Sequence, residues 1–185
     1  TSMDAIDAVL LETGGNPMTV VAAHSIPIPY PTRERLLAID RDTPLTELMA
    51  LDAARGDALA AAAETALQQA GRPASCLGAV GSHGQTVRHT PDGPAPNSWQ
   101  LGDANRIAER LGVPVVADFR RRDLAAGGQG APLAPIFHHA FFGSLDEPRV
   151  VVNIGGMANI TCLPADGPEA ITGFDTGPGN VLLDA

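Results

Sequence analysis

The sequence predicts an α/β fold on two observations. Short apolar strand patterns alternate with helical ones along the chain. Polar clusters stand directly behind several strand candidates, at the carboxyl ends where α/β sheets bind ligands.

The elements follow in order. Residues 5–11 and 19–25 read as two strands joined by a hairpin-type turn at Gly14-Gly15-Asn16-Pro17. A proline-rich link runs from Pro27 to Pro31, and residues 32–41 read as a short helix. Thr43 is expected to cap a long helix with Pro44 at its first position. Leu45, Leu48, Met49, Leu59, Ala62, Ala63, Ala66 and Leu67 fall mostly on one helical stripe. Gly56 marks an expected kink, and Gly71 ends the helix. Leu77 to Ser82 reads as a short buried strand and Trp99 to Leu101 as another. Asp103 caps a helix through Arg110 that Gly112 ends, and Val113 to Ala117 is the next strand. Residues 132–142 read as an apolar helix. Arg149 to Asn153 is a strongly apolar strand, turned by Gly155-Gly156 into Ala158 to Leu163. A last strand over residues 170–174 ends at Asp175. Gly177-Pro178-Gly179-Asn180 is expected to be a turn and helix start.

Composition excludes several functions. The net charge is −9, and all twelve basic residues are arginine. Without lysine there is neither a Walker A phosphate loop nor a Schiff-base residue. An acidic chain makes a poor nucleic-acid backbone binder. No apolar run reaches the roughly 18 residues of a membrane span, and Pro27 and Pro29 interrupt the one candidate for a signal peptide. Cys76 and Cys162 lie far apart and are expected to be free thiols in a reducing cytoplasm. The chain opens on Thr1 with a strand close behind and stops one turn into a helix. It therefore reads as a fragment cut at both ends.

Each polar cluster has two readings. His83 could be a ligand-binding group or general base, or a satisfied structural histidine. Arg120-Arg121-Arg122 could hold an anion, or could pair with the flanking Asp118 and Asp123. Gly127-Gly128-Gln129-Gly130 could be a hinge, an anion nest or a plain loop. The Gly155-Gly156 turn could present backbone N–H groups to phosphate, or be an ordinary hairpin. Asp175 could be a base or a turn aspartate. No HExxH, GxSxG or Cys/His ladder is present, and the adjacent His138 and His139 point about 100° apart on a helix.

Taken in chain order, a set of segments resembles one family. They are Thr1-Ser2-Met3-Asp4-Ala5-Ile6-Asp7, Ser82-His83-Gly84-Gln85-Thr86-Val87-Arg88-His89 and Trp99-Gln100-Leu101-Gly102-Asp103. Ala117-Asp118-Phe119-Arg120-Arg121-Arg122-Asp123 and Gly127-Gly128-Gln129-Gly130-Ala131-Pro132-Leu133 follow. Val152-Asn153-Ile154-Gly155-Gly156-Met157-Ala158-Asn159-Ile160 and Gly173-Phe174-Asp175-Thr176-Gly177-Pro178-Gly179-Asn180 complete the set. Together they resemble the 1,6-anhydro-N-acetylmuramic acid kinases over essentially the whole chain.

The resemblance implies an actin-like (ribonuclease H-like) two-lobed ATPase fold. The first lobe would cover residues 1–142, and the beginning of the second would cover 148–185. The implied activity is ATP-dependent phosphorylation of the anhydro-sugar at O6 with hydrolytic opening of its ring. The product is N-acetylmuramic acid 6-phosphate, in peptidoglycan recycling in the cytoplasm. Asp175 matches the family's catalytic aspartate. His83, Gln85, Thr86, Gln100, Asp118 and Arg120 are expected on the sugar, Arg120 at its lactyl carboxylate. Thr1, Ser2, Asp4, Asp7, Gly155, Gly156, Asn159, Gly177, Gly179 and Asn180 are expected on ATP and its phosphates. ATP and Mg²⁺ are the implied cofactors, with no metal ligands assigned. The partners are the sugar and ATP, with neither nucleic acid nor membrane, and a homodimer is a family-based expectation. Ala5 stands where the family usually has Gly, and the adenosine site would lie beyond residue 185. The segment is thus not expected to turn over ATP by itself. The alternative is a non-catalytic sugar-binding fragment or degenerate homologue of the same fold.

Overall fold

The computed structural model describes residues 5–15, 18–155 and 157–179, and the chain divides into two units between Gly130 and Ala131. Helices and strands mix in both, so the α/β class is borne out.

The first unit opens on the antiparallel strands β1 (Ala5–Glu12) and β2 (Thr19–Pro27). Ala5 lies in extended strand opposite Pro27, so it needs no glycine-like backbone. Helix α1 (Tyr30–Leu37) starts two residues before the predicted 32 and stops at Leu37. Helix α2 (Leu45–Gln69) begins behind Pro44. Thr43 is not its cap: its hydroxyl accepts from the Asp40 backbone N–H and donates to the Asp40 carboxylate, closing the preceding turn. The helix runs unbroken through Gly56. A Cβ there would lie 2.7 Å from the Asp103 carbonyl oxygen, so the glycine lets the next helix approach.

The alanine-rich face of α2 builds the core. Ala62 packs with Ile6 and Ile28, and Ala60 and Leu67 pack with Ile107 and Leu111. Leu51 joins Leu36 and Leu101 in a third cluster. Ile107 and Leu111, spaced i,i+4, belong to helix α3 (Ala104–Leu111). Asp103 caps it by accepting from the Asn105 N–H at 2.9 Å, and Gly112 ends it in the left-handed region, both as predicted. Arg106 grips Asp57, and Arg110 grips Glu64, across the two helices. These pairs are about half exposed, so water screens them and they add little to stability.

Strands β3 (Val80–Ser82) and β6 (Val115–Ala117) pair in parallel. Between them β4 (Gln85–Thr90) and β5 (Asn97–Leu101) form an antiparallel hairpin. Gln85-Thr86-Val87-Arg88-His89-Thr90 is a strand although it is too polar for a core one. Its polar side chains pair across the hairpin instead. Helix α4 (Phe119–Ala125) carries the arginine run.

In the second unit helix α5 (Ala134–Phe142) packs on a meander of β7 (Arg149–Ile154), β8 (Met157–Leu163) and β9 (Thr172–Pro178). The division between the two compact units falls before α5. Pro135 sits where a Cβ on Gly173 would be 2.6 Å away, and His138 bonds Thr161 at 2.9 Å. The opposite sheet face carries Val150, Val152, Ile154 and Phe174, all more than half exposed. Strand β9 continues past the predicted 174 to Pro178, so the expected turn at Asp175 is strand.

Candidate functional site

In the first unit the site follows from one parallel register. Ser82 stands opposite Ala117, so the residues after β3 and β6 emerge side by side. This brings His83 and Arg120 together: the Arg120 Nε–H donates to His83 Nε2 at 2.8 Å. His83 Nδ1 lies 2.9 Å from the Gly84 carbonyl oxygen. A carbonyl only accepts, so Nδ1 carries the proton and Nε2 is the acceptor. Burial holds His83 below its ordinary range against the Gly84 hydrogen bond, and the Arg120 charge lowers it further. Both ring nitrogens are engaged, so His83 works as a neutral support for Arg120 rather than as a proton acceptor.

Arg120 is half-buried, donates also to the Gly130 carbonyl at 3.3 Å, and makes no ion pair among the described residues. Burial lowers its pKa, yet a guanidinium stays charged. The flanking carboxylates are committed elsewhere. Asp118 pairs with Arg121 at 2.7 Å, and Asp123 accepts from the Gly130 N–H at 2.7 Å. Pairing thus accounts for Arg121 but not for Arg120. Asp118 is also the one non-glycine described with positive φ, at 61°, which aims α4 from the end of β6.

The hairpin brings Thr86 and Gln100 together, as cross-strand partners. The Gln100 amide donates to Thr86 Oγ1 at 3.3 Å and to the buried Ser98 Oγ at 2.7 Å. Gln85 is buried, and its Oε1 accepts from Arg55 Nη2 at 3.2 Å. Gly84 permits the turn between them: its φ is 71°, and a Cβ would lie 2.7 Å from the Leu101 carbonyl oxygen. Arg55 escaped the sequence reading. Its signal is its spacing, since it falls i,i+4 between Leu51 and Leu59 on the buried stripe of α2. Asp7 lies on β1, exposed and opposite Ser25, away from this cluster in register.

In the second unit the structure gathers five predicted residues. Asn159 stands opposite Asp175, and Ala158 opposite Gly177, so Thr176 is an extra residue in β9. Its hydroxyl donates to the Ala158 carbonyl at 3.2 Å. Such a bulge re-aims its neighbours, and Asp175 beside it is exposed. A Cβ on Gly179 would collide with the Gly155 carbonyl oxygen, so the two glycines bring the end of β9 against the β7–β8 turn. Thr1, Ser2, Asp4, Gly156 and Asn180 lie outside the described residues. Among the described residues no group of three or more His, Cys, Asp or Glu converges as a metal site, and no helix is long and apolar enough to cross a membrane.

Glycines at strand ends and, among the described residues, a half-buried arginine without an ion pair are features of an α/β protein. Comparison with known proteins narrows that class to one kinase family. The chain belongs to the anhydro-N-acetylmuramic acid kinase family, whose sequence model matches residues 1–185. Proteins named anhydro-N-acetylmuramic acid kinase are 50% identical over 191 residues in Xylella fastidiosa (strain Temecula1 / ATCC 700964) and 46% over 187 in Coxiella burnetii (strain Dugway 5J108-111). Another, from Xanthomonas axonopodis pv. citri (strain 306), is 47% identical over 191 residues. Each alignment covers 100% of this chain and 50% of the relative. The chain thus spans about half the length of the curated relatives it matches.

Proposed function

We propose that the complete protein is an ATP-dependent kinase of 1,6-anhydro-N-acetylmuramic acid. It opens the anhydro ring hydrolytically and phosphorylates O6, giving N-acetylmuramic acid 6-phosphate for peptidoglycan recycling in the cytoplasm. In this reading the fold is the actin-like, two-lobed ATPase fold, and the chain carries the first lobe and the start of the second. The protein works as a homodimer.

The observation that carries the reading is Arg120. It is a half-buried guanidinium held on a neutral histidine, without a carboxylate partner among the described residues. Such a group favours an anion as its remaining partner, and the lactyl carboxylate of the sugar is one. Asp118 sets the start of α4 and so the position of Arg120. Thr86, Gln85 and Gln100 provide the hydroxyl and amides that a sugar requires. The Gln100 amide spends its N–H groups on Thr86 and Ser98, so its Oε1 is the atom offered to a ligand hydroxyl or N–H.

Asp175 acts as the base. It takes a proton from water as the water oxygen bonds to the anomeric carbon, and the bond from that carbon to O6 breaks. O6 then attacks the γ-phosphorus, the β–γ phosphoanhydride bond breaks, and ADP leaves. Glycines 155, 156, 177 and 179, with Asn159 and Asn180, offer backbone and amide donors to the phosphates without lysine. Thr1, Ser2, Asp4 and Asp7 serve the same end from the start of the chain. Mg²⁺ would neutralise phosphate charge. It needs only one or two carboxylates beside phosphates and water, so an exposed single carboxylate such as Asp7 would suit it.

The test is to supply the complete gene product with ATP and the anhydro-sugar and to follow the 6-phosphate. Product formation, with a raised sugar KM in Arg120→Ala and an unchanged ATP KM, is expected. No product, or unchanged sugar affinity in Arg120→Ala, would count against the reading.

A further inference from the structure

We propose that Arg55 is a second cation of the sugar site, a positioning residue that fixes Gln85 and lends positive charge to the His83–Gln85 turn. With Arg120 it makes the turn selective for a ligand carboxylate. The inference deepens the sugar-kinase reading and rests on it.

The turn is held from both ends by arginine. Arg120 donates to His83 at 2.8 Å, and Arg55 donates to Gln85 Oε1 at 3.2 Å. Six other arginines (35, 41, 106, 110, 121 and 149) form ion pairs. Arg72, Arg88 and Arg122 are exposed to water. Arg55 alone is fully buried, at 6% exposure, and it makes no ion pair among the described residues. Among the described residues its Nε has no hydrogen-bond partner, and neither does the buried Ser82 Oγ. Ser82 immediately precedes His83, so both orphaned buried atoms belong to the surroundings of one turn.

A helix stripe of Leu51, Leu59 and Ala62 would accept an apolar residue at position 55 and lose nothing in packing. A buried charge costs desolvation energy that an apolar side chain would not. A cation kept there at a cost to the fold is explained by what it does to its neighbours. The amide of Gln85 is oriented with its oxygen on Arg55. Gly102 brings the two elements close: a Cβ there would lie 3.4 Å from Gly84 Cα and 3.7 Å from Arg55 Cγ. The Arg55 stem thus runs beneath the turn, where a low dielectric carries its charge to a bound anion.

The experiment measures binding of 1,6-anhydro-N-acetylmuramic acid and of its lactyl methyl ester by calorimetry. The complete gene product is used as wild type, Arg55→Met and Arg55→Lys. Wild type is expected to prefer the acid, Arg55→Met to lower that preference by about tenfold, and Arg55→Lys to restore most of it. Arg55→Met is expected to stay folded, melting somewhat lower because the buried Gln85 oxygen loses its donor. A preference unchanged in Arg55→Met overturns the inference. Equal losses for acid and ester, or a loss confined to ATP, overturn it too, because Arg55 would then serve the fold or the phosphates. If Arg55→Met does not fold, Arg55→Gln takes its place, and failure of both marks the charge as structural and overturns the inference. A wild type that binds neither sugar overturns the sugar-kinase reading, and this inference with it.

Discussion

The two units use the same vocabulary of strands, helices and glycine turns, but they bury it differently. In the first, one alanine-rich helix gathers three apolar clusters, and eleven of the twelve buried hydrophobic residues described fall before Gly130. In the second, Leu163 is the only one, and a sheet face with Val150, Val152, Ile154 and Phe174 stands exposed. The difference teaches where each unit's chemistry comes from. The first supports a buried polar construction, Arg55 on Gln85 and Arg120 on His83, because a surrounding core holds it. The second presents Asp175 from a bulged strand, exposed, with glycines in place of side-chain scaffolding.

The comparison can be broken most decisively by isolating the second unit. A peptide of residues 131–185 is expected to show no cooperative thermal transition by circular dichroism, since so small a core cannot offset chain entropy. A sharp transition would mean that its fold is self-sufficient. Next in size, Leu51→Ala should lower stability by about 2–5 kcal/mol in urea unfolding. Val152→Thr on the exposed face should change this chain by less than about 0.5 kcal/mol. Equal effects would erase the contrast. Gly84→Ala should cost about 1–3 kcal/mol, because it adds a Cβ against the Leu101 carbonyl at positive φ. Measured sugar affinity should fall with it.

The smallest effect is a pH dependence confined to the first unit. His83 is held below its ordinary range in the folded chain, chiefly by burial. Below its unfolded pKa, about 6.5, the unfolded state therefore binds more protons. Stability should be fully present above that pH and fall as pH drops towards the lowered folded value. In His83→Gln this component should vanish from urea titrations run between pH 7 and pH 5. An identical slope in the variant would show that His83 is not the group responsible.

Much of this was legible in the residues. The cap at Asp103, the end at Gly112 and the pairing of the first two strands rest on local chemistry, and the structure keeps them, while Asn16 and Pro17 of the expected turn lie outside the described residues. Thr43 was not legible because its hydroxyl closes the local turn at Asp40 instead of capping the helix, and Gly56 because its role is set by the approaching Asp103. The polar strand at Gln85–Thr90 hid because its partners lie across a hairpin, not along the chain. At the site, the motifs marked His83 and Arg120 separately, and only the parallel register of β3 and β6 joined them. Arg55 carried a visible signal, a charge on an apolar stripe, that composition and motif reading pass over. Asp175 was marked by its motif, but its place in a bulged strand rather than a turn depends on the pairing with β8.

The central claim is that Asp175 is the base that couples ring opening to phosphorylation. The direct measurement is product formation from ATP and the anhydro-sugar by the complete gene product and by Asp175→Asn, with both confirmed as folded by their melting curves. The account predicts N-acetylmuramic acid 6-phosphate from the wild type, and a rate lower by at least about a thousandfold in Asp175→Asn with sugar binding retained. Full activity in Asp175→Asn would contradict it.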